Sequence, residues 1–247
     1  QIHFALENIV GNNKKNFEDI EKIFLLKTKY SENKKINNKN TKQNFITKNH
    51  KATKRDHIGR MLDDKVKCMK ISKKYSFDYW DGDRRYGYGG FKYIPGYNED
   101  VAKKLIETYN LTNESKILDL GCGKGFLLHE ISKILPKAQI LGLDISKYAK
   151  RNTLKEINKR IKIQDLRKRL KFKDNSFDLV ISINTLHNFK ISEIYNSFSE
   201  IERIGKSKFV CVESYRNEQE QFNLQCWALT AETLIDTDSW KWIMKQS

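Results

Sequence analysis

The 247-residue sequence lacks the features that mark several specialised classes of protein. It contains no apolar run of about 18 residues, so we expect no membrane-spanning helix. Residues 1–10 have neither a basic start nor an apolar stretch, which does not fit a signal peptide. The cysteines show neither a pairing rhythm nor metal-ligand spacing, as is typical of reduced thiols in a cytoplasmic protein: they are Cys68, Cys122, Cys211 and Cys226. Disulfide-stabilised, collagen-like and membrane-spanning classes are therefore excluded.

Hydrophobic residues make up only 38% of the chain, and its positive charge is unevenly distributed. The formal net charge is +16, and residues 1–75 hold 19 basic but only 8 acidic side chains. Residues 31–50 contain six Asn and five Lys without hydrophobic periodicity. We therefore predict that residues 1–51 form a disordered, Lys/Asn-rich basic tail. Such a tail could bind nucleic acid, but 37 Lys against 10 Arg also fits the bias of an AT-rich genome, which we favour.

Residues 52–115 have a different composition and are predicted to form N-terminal helices followed by a glycine-rich segment. The composition indicates a helix over residues 60–74. Residues 79–93 then combine four glycines with six aromatic side chains. The aromatics either cap the core or form a lid that offers stacking surface and charged groups to a ligand.

From residue 116 onward, strands and helices alternate. A short apolar strand at 116–120 leads into Gly121-Cys-Gly-Lys-Gly125, a helix at 126–135 and a second strand that ends at Asp144. This alternation predicts an α/β fold with a parallel sheet and helices on both faces. A ligand is then expected outside the carboxyl ends of the strands, at the glycine turn.

The details of the turn indicate which ligand it binds. Dinucleotide-binding turns read G-x-G-x-x-G, whereas here the glycines are Gly121, Gly123 and Gly125. Asp119 precedes them; its carboxylate would repel a pyrophosphate but suits an ammonium group. Asp144 can accept both hydroxyls of a ribose. S-adenosyl-L-methionine has a ribose and a cation but no phosphate.

Residues 116 to about 216 resemble class I S-adenosyl-L-methionine-dependent methyltransferases, with four motifs in order. The resemblance implies a Rossmann-like sheet in which Asp119 lies near the methionine amine, Asp144 near the ribose and Asn184 near the transferred methyl. The wider sequence resembles a bacterial subfamily of unsettled substrate, so it indicates no acceptor. The cofactor-binding residues that it implies are Asp119, Gly121, Cys122, Gly123, Gly125, Asp144, Ile145, Asp165, Leu166 and Asn184.

Two residues are candidates for the chemistry of the acceptor. His187 follows the fourth strand of this region and has a pKa suited to a general base; alternatively it is a partly buried histidine bonded to backbone. Glu213, at the end of the fifth strand, could hold or deprotonate an acceptor, or lie on a solvated face. We expect a polar small-molecule acceptor, such as a metabolite or sugar derivative. The alternatives are an RNA or protein methyltransferase anchored by the basic tail, and a non-catalytic remnant of the fold.

A complete sheet of this family has seven strands, yet few residues follow Ser214. Residues 227–235 and 239–244 are predicted to be helical. We therefore expect residues 116–247 to form a methyltransferase core, truncated at its C-terminus, that lacks the last two strands. This would leave the fifth strand as an exposed edge.

Overall fold

The computed structural model describes the backbone of residues 2–7 and all of residues 55–246, and a six-stranded sheet lies at its centre. Every pair of neighbouring strands is parallel, in the order β1-β6-β5-β2-β3-β4. The predicted Rossmann-like α/β class is confirmed. The strands are β1 (Ile2–Glu7), β2 (Lys116–Leu120), β3 (Gln139–Asp144), β4 (Ile161–Ile163), β5 (Phe177–Ile183) and β6 (Gly205–Glu213).

Nine α-helices occur in the part of the chain from residue 55 to residue 246. They are α1 (His57–Leu62), α2 (Lys65–Ser72), α3 (Phe77–Trp80), α4 (Glu99–Thr108), α5 (Phe126–Ile134), α6 (Lys147–Arg151), α7 (Ile191–Ile204), α8 (Glu218–Trp227) and α9 (Thr237–Gln246). The single helix predicted over residues 60–74 is thus two helices. The helix predicted over residues 239–244 is confirmed, whereas the one predicted over 227–235 is wrong, since α8 ends where it should begin.

The two faces of the sheet bury separate apolar clusters. Successive side chains of a strand point to opposite faces. Leu118 and Val210 pack with buried residues of α7 and α9. Ile117 and Phe209, one position earlier, pack with α4 and α5 on the other face. Helices therefore cover both faces of the sheet, as predicted.

The order of the strands creates a crevice at one edge of the sheet. From β2 the chain proceeds outward to β3 and β4, then returns to the other side of β2 as β5 and β6. The connections after β2 and β5 therefore diverge, and such a switch point is where open parallel sheets bind ligands.

The far edge of the sheet differs from the expectation. β1 lies parallel to β6, with Ile2 opposite Lys208 and Glu7 opposite Glu213. The prediction that the β6 strand is an exposed edge is therefore wrong, because backbone hydrogen bonds to β1 occupy that edge. No strand follows β6 among the described residues, as expected. Residues 2–7 of the predicted disordered tail thus form a strand instead, because they pair with β6. The rest of the predicted tail, residues 8–51, lies outside the described residues.

Two findings concern the disulfide-stabilised and membrane-spanning classes of protein, which the sequence excludes. The four cysteines are free thiols. None of the described helices has the length and apolar character needed to cross a membrane.

Candidate functional site

The glycine turn after β2 folds across the end of β3. The N–H groups of Gly121 and Cys122 both donate to the Leu143 carbonyl, at 2.7 and 3.2 Å. Gly121 has a φ of +81°, and a Cβ there would lie 2.0 Å from Thr185 Oγ1. Both the left-handed backbone and the space therefore require glycine. This holds the turn in the crevice between β2 and β5.

The other two glycines of the turn have different roles. Gly123 (φ +55°) donates its N–H to Asp144 Oδ2 at 2.8 Å, and a Cβ on it would lie 2.8 Å from the Trp80 ring. A Cβ on Gly125 would lie 2.2 Å from Ile161 Cδ1. Gly125 thus allows α5 to pack closely on β4, whereas Gly121 and Gly123 line the crevice.

Asp144 is fixed at the end of β3 by the backbone around it. Its two carboxylate oxygens accept N–H groups from Gly123 at 2.8 Å and from Ser146 at 2.7 Å. Burial nevertheless raises the pKa of Asp144, because it outweighs these two hydrogen bonds. Each oxygen keeps further lone pairs, so the carboxylate can accept two neighbouring hydroxyls, as a ribose offers.

Asp119 is the most electrostatically perturbed carboxyl group of the crevice. Its side chain is buried inside β2. Burial, and secondarily the negative charge of Asp144, raise its pKa to about 7. A cation bound against Asp119 would relieve both effects, since it would replace lost solvation and offset the repulsion. This position therefore suits a ligand that carries an ammonium group.

One cavity, of about 280 Å³, collects the residues predicted to hold a nucleoside. Asp144, Ile145, Asp165 and Leu166 all line it. Ile145 is 45% exposed and offers an apolar surface to a flat ring. Asp165 accepts hydrogen bonds from Arg167 Nε at 2.8 Å and Nη2 at 2.9 Å, which lower its pKa. The structure thus brings these four predicted residues together in one cavity.

A second cavity, of about 420 Å³, contains the other half of the predicted set. Asp119 lies in its wall, and the thiol of Cys122, whose pKa is raised by burial, is a packing group there. The two cavities adjoin, so one extended ligand can place a nucleoside in the first and a charged tail beside Asp119 in the second. The residues that line both are Trp80, Tyr88, Gly121, Ile183 and Asn184.

The aromatic segment packs directly on the glycine turn through a buried ion pair. Lys124, the residue between the last two glycines, donates to both carboxylate oxygens of Asp81, at 2.8 and 2.7 Å. It also donates to the Phe91 carbonyl at 2.7 Å, and Tyr148 donates to Asp81 at 2.8 Å. Lys124 is only 4% exposed. The sequence prediction missed this anchor, although Lys124 stands inside the motif.

A third cavity, of about 290 Å³, contains both predicted catalytic residues. His187 is buried, and its Nδ1 accepts the backbone N–H of Glu213 at 3.1 Å. Its Nε2 lies 3.9 Å from Glu213 Oε2. An imidazole whose Nδ1 accepts a hydrogen bond carries its proton on Nε2. In this arrangement His187 is bonded to backbone, which is the alternative interpretation given above. The Glu213 carboxylate is then the group in this cavity that can accept a proton.

Comparison with known proteins identifies the family of the chain. The profile of a family described as "Methyltransferase domain" matches residues 111–247. The chain belongs to this methyltransferase family. The chain is 26% identical over 137 residues to the mitochondrial arginine-hydroxylase NDUFAF5 of Mus musculus, covering 55% of this chain and 39% of that protein. It is 32% identical over 94 residues to the malonyl-[acyl-carrier protein] O-methyltransferase of Legionella pneumophila, covering 36% and 33%. The matches thus span well under half the length of these relatives.

Solved structures similar to the methyltransferase include the YcgJ protein of Bacillus subtilis. The identity is 20%, the TM-score 0.47, and the similarity covers 59% of this chain and 66% of that one. A SAM-dependent methyltransferase from Aquifex aeolicus is 19% identical with a TM-score of 0.36, covering 58% and 68%.

S-adenosyl-L-methionine is the cofactor that membership of the family implies, and the residues present fit it. Gly121 and Gly123 line the cavity beside Asp119 with backbone alone. Asp144 presents its carboxylate to the cavity suited to a nucleoside. Asp119 offers a buried negative charge to the amine of the methionine part.

Proposed function

We propose that the protein transfers the methyl group of S-adenosyl-L-methionine to a polar small molecule bound beside Asn184. The observation that carries this proposal is that Asn184 lines all three cavities. Two of them contain the residues suited to the cofactor, and the third contains Glu213. An acceptor in the third cavity therefore lies next to the point where the cofactor cavities meet.

The bound cofactor supplies an electrophilic methyl group on a sulfonium. The chain's own residues orient the reactants and exclude water. Asp119 and Asp144 would hold the two polar ends of the cofactor, and Ile145 would lie against its flat ring. The aromatic segment anchored by Lys124 covers the turn.

Glu213 takes the proton that a hydroxyl or ammonium acceptor must lose. Its carboxylate faces the third cavity, and its backbone N–H is held by His187. His187 is then a positioning residue, because its Nδ1 already accepts that hydrogen bond. A cavity of about 290 Å³ favours a small acceptor over a folded macromolecule. The cytoplasmic location expected from the cysteine pattern stays a prediction.

Calorimetry with S-adenosylhomocysteine on the full chain tests the cofactor part of the proposal. We expect binding that weakens in Asp144→Ala, with no comparable binding of NAD. Tighter binding of NAD would contradict the proposal. The matched control is Asp174→Ala, since the Asp174 side chain is 73% exposed and lies outside the three cavities.

Turnover of polar metabolites tests the acceptor part. Glu213→Gln should lower kcat by about 100-fold at unchanged affinity for S-adenosylhomocysteine, because it removes the group that takes the proton. No effect on kcat would exclude Glu213 as the base. Binding of RNA that falls steeply with salt and vanishes without residues 1–50 would instead favour the tail-anchored alternative.

A further inference from the structure

The third cavity has a strongly basic end that the proposed proton transfer does not use. Arg55, Arg60 and Arg84 all line it together with Trp227. Their guanidinium carbons lie 5.2, 4.6 and 5.1 Å from the centre of the Trp227 ring. Three positive charges are thus gathered around one indole, on the wall of the cavity that also contains Glu213.

No acidic side chain within residues 55–246 forms an ion pair with these three arginines. Arg60 Nη1 donates to the Arg85 carbonyl at 2.6 Å, and Arg84 donates to the Gly87 carbonyl. The Nε of Arg55 is buried without a hydrogen-bond partner in the described part of the chain. Neutral backbone carbonyls position two of the arginines, and the carboxylates that act on Arg60, those of Asp63 and Asp83, only partly offset the effect of burial and of Arg84 on it.

Burial and the closeness of the three positive charges lower the pKa values of two of the arginines. Burial, and then the charge of Arg84, lower the pKa of Arg60, which is 9% exposed. Burial, and then the charge of Arg55, lower the pKa of Arg84. Of the three, Arg60 is buried, Arg55 is half-buried and Arg84 is exposed. Placing like charges side by side, with one of them buried, is unfavourable unless an opposite charge joins them. An anion bound among the three guanidinium groups would supply that charge.

The segment that carries Trp227 is held in place independently of the arginines. Lys65 Nζ donates to the carbonyls of Cys226 and Ala228, both at 2.6 Å. Trp227 is therefore fixed between two anchored residues and also meets the His57 ring edge-on, with centroids 5.9 Å apart. The Trp227 ring, around which the three arginines lie, is thus held in a defined position by contacts within the protein.

We infer that the methyl acceptor is a small oxyanion, a carboxylate or a phosphate, whose charged end binds Arg55, Arg60 and Arg84. The guanidinium fork suits the paired oxygens of both groups. Glu213 repels an anion from its own end of the cavity, so the amine or hydroxyl that accepts the methyl group points toward Glu213. This inference rests on the proposed function, which it deepens by naming the substrate class.

Calorimetric titration of the full chain with sodium succinate and with inorganic phosphate tests the inference and separates the two sources of charge. We expect one of the two to bind and neutral succinamide not to bind. Arg84→Gln should weaken that binding about tenfold, which corresponds to the loss of one charge-assisted hydrogen bond. Arg55→Gln is the second variant, because its Nε has no hydrogen-bond partner to lose. Arg169→Gln is the control, since it removes a positive charge from an exposed position outside the cavity.

The affinity for S-adenosylhomocysteine, measured on the same variants, keeps the two proposals apart. Unchanged cofactor affinity together with weakened anion binding in both cavity variants supports the inference. Cofactor binding without any anion binding, or equal anion affinity in Arg84→Gln and Arg169→Gln, overturns it and leaves the proposed function standing. Anion binding without cofactor binding overturns the proposed function instead. Displacement of the anion by a short RNA with the same arginine dependence would overturn the assignment to a small molecule.

Discussion

Asp119→Asn should stabilise the protein at neutral pH while weakening the binding of the cofactor. The folded protein raises the pKa of Asp119 from 3.8 to about 7, mainly through burial. When folding raises the pKa of a carboxyl group, the protonated group contributes to the stability of the folded state relative to the ionised group. That contribution to the free energy of unfolding is lost as the pH rises from the pKa of the unfolded chain to that of the folded protein. The shift is about three pKa units, so ionised Asp119 costs about 4 kcal/mol of folding free energy above pH 7.

An asparagine carries no titratable proton, so the increase in the free energy of unfolding caused by Asp119→Asn must become larger as the pH rises. Between pH 5 and pH 8 the free energy of unfolding of the variant, relative to wild type, should increase by about 3 kcal/mol, because about two of the three pKa units lie in this interval. Urea unfolding at both pH values measures it. The control is Glu107→Gln, which removes one negative charge from the exposed face of α4 and should show no such growth.

Cofactor binding supplies the second readout. The affinity of the wild type for S-adenosylhomocysteine should rise as the pH rises through about 7, since only ionised Asp119 attracts the amine. In Asp119→Asn this rise should disappear and the affinity should be lower. A stability gain that is equal at pH 5 and pH 8 would refute the raised pKa, and an unchanged affinity would refute the contact with the amine.

Two further substitutions examine how the aromatic segment is held on the glycine turn. Gly123→Ala should cost about 1–3 kcal/mol and weaken S-adenosylhomocysteine binding, because a Cβ would lie 2.8 Å from Trp80 and strain the left-handed backbone. Gly90→Ala has the strain without the crowding, since nothing lies within 4 Å of its Cβ, so equal losses in urea unfolding would contradict this reasoning. Lys124→Met should cost about 3 kcal/mol, because the Asp81 carboxylate loses its cationic partner and keeps only neutral donors. Adding Asp81→Asn should recover part of that loss, and no recovery would show that the ion pair is unimportant.

The cofactor half of the site was predictable because it depends on short-range pattern. Asp119 and Asp144 each stand at the end of an apolar strand, and parallel strands bring their carboxyl ends to one edge. Ile145 and Asp165 follow such ends within a few residues. The positions of Asp119 and Asp144 relative to the glycine turn indicated a ribose and an ammonium group, whereas the roles expected for Ile145 and Asp165 came from the resemblance to the methyltransferase motifs.

The basic end of the third cavity was not predictable from pattern. Arg84 and Trp227 are more than a hundred residues apart in the chain, and no local rule connects them. Their meeting depends on α1 packing against α8, which the backbone carbonyls bound by Lys65 help to fix. The sequence predicts a single helix across α1 and α2, which leaves out the turn between them that makes this packing possible.

The helix predicted over residues 227–235 failed for a related reason. Its residues favour a helix, but the N–H groups of Glu232 and Thr233 both donate to the His187 carbonyl at 3.0 Å. These tertiary hydrogen bonds replace helical ones. The true helix, α8, begins after Asn217, whose side chain accepts the N–H of Glu220 at 2.9 Å. This N-cap signal is present in the sequence and was overlooked.

The proposed cofactor and the proposed acceptor carry opposite charges, and each matches the charged side chains in a different part of the crevice. Two buried carboxylates, Asp119 and Asp144, lie in the walls of the cavities suited to the cofactor, which is a cation. Arginines dominate the far end of the third cavity, where Arg60 is the most buried of the three. A cationic cofactor is therefore disfavoured in the acceptor cavity and an anionic acceptor is disfavoured beside Asp119. Asn184 lines all three cavities, so on the proposed function we expect the cofactor and the acceptor to meet there with their charged ends pointing apart. In the proposed reaction, the charged side chains of the site would then orient both reactants.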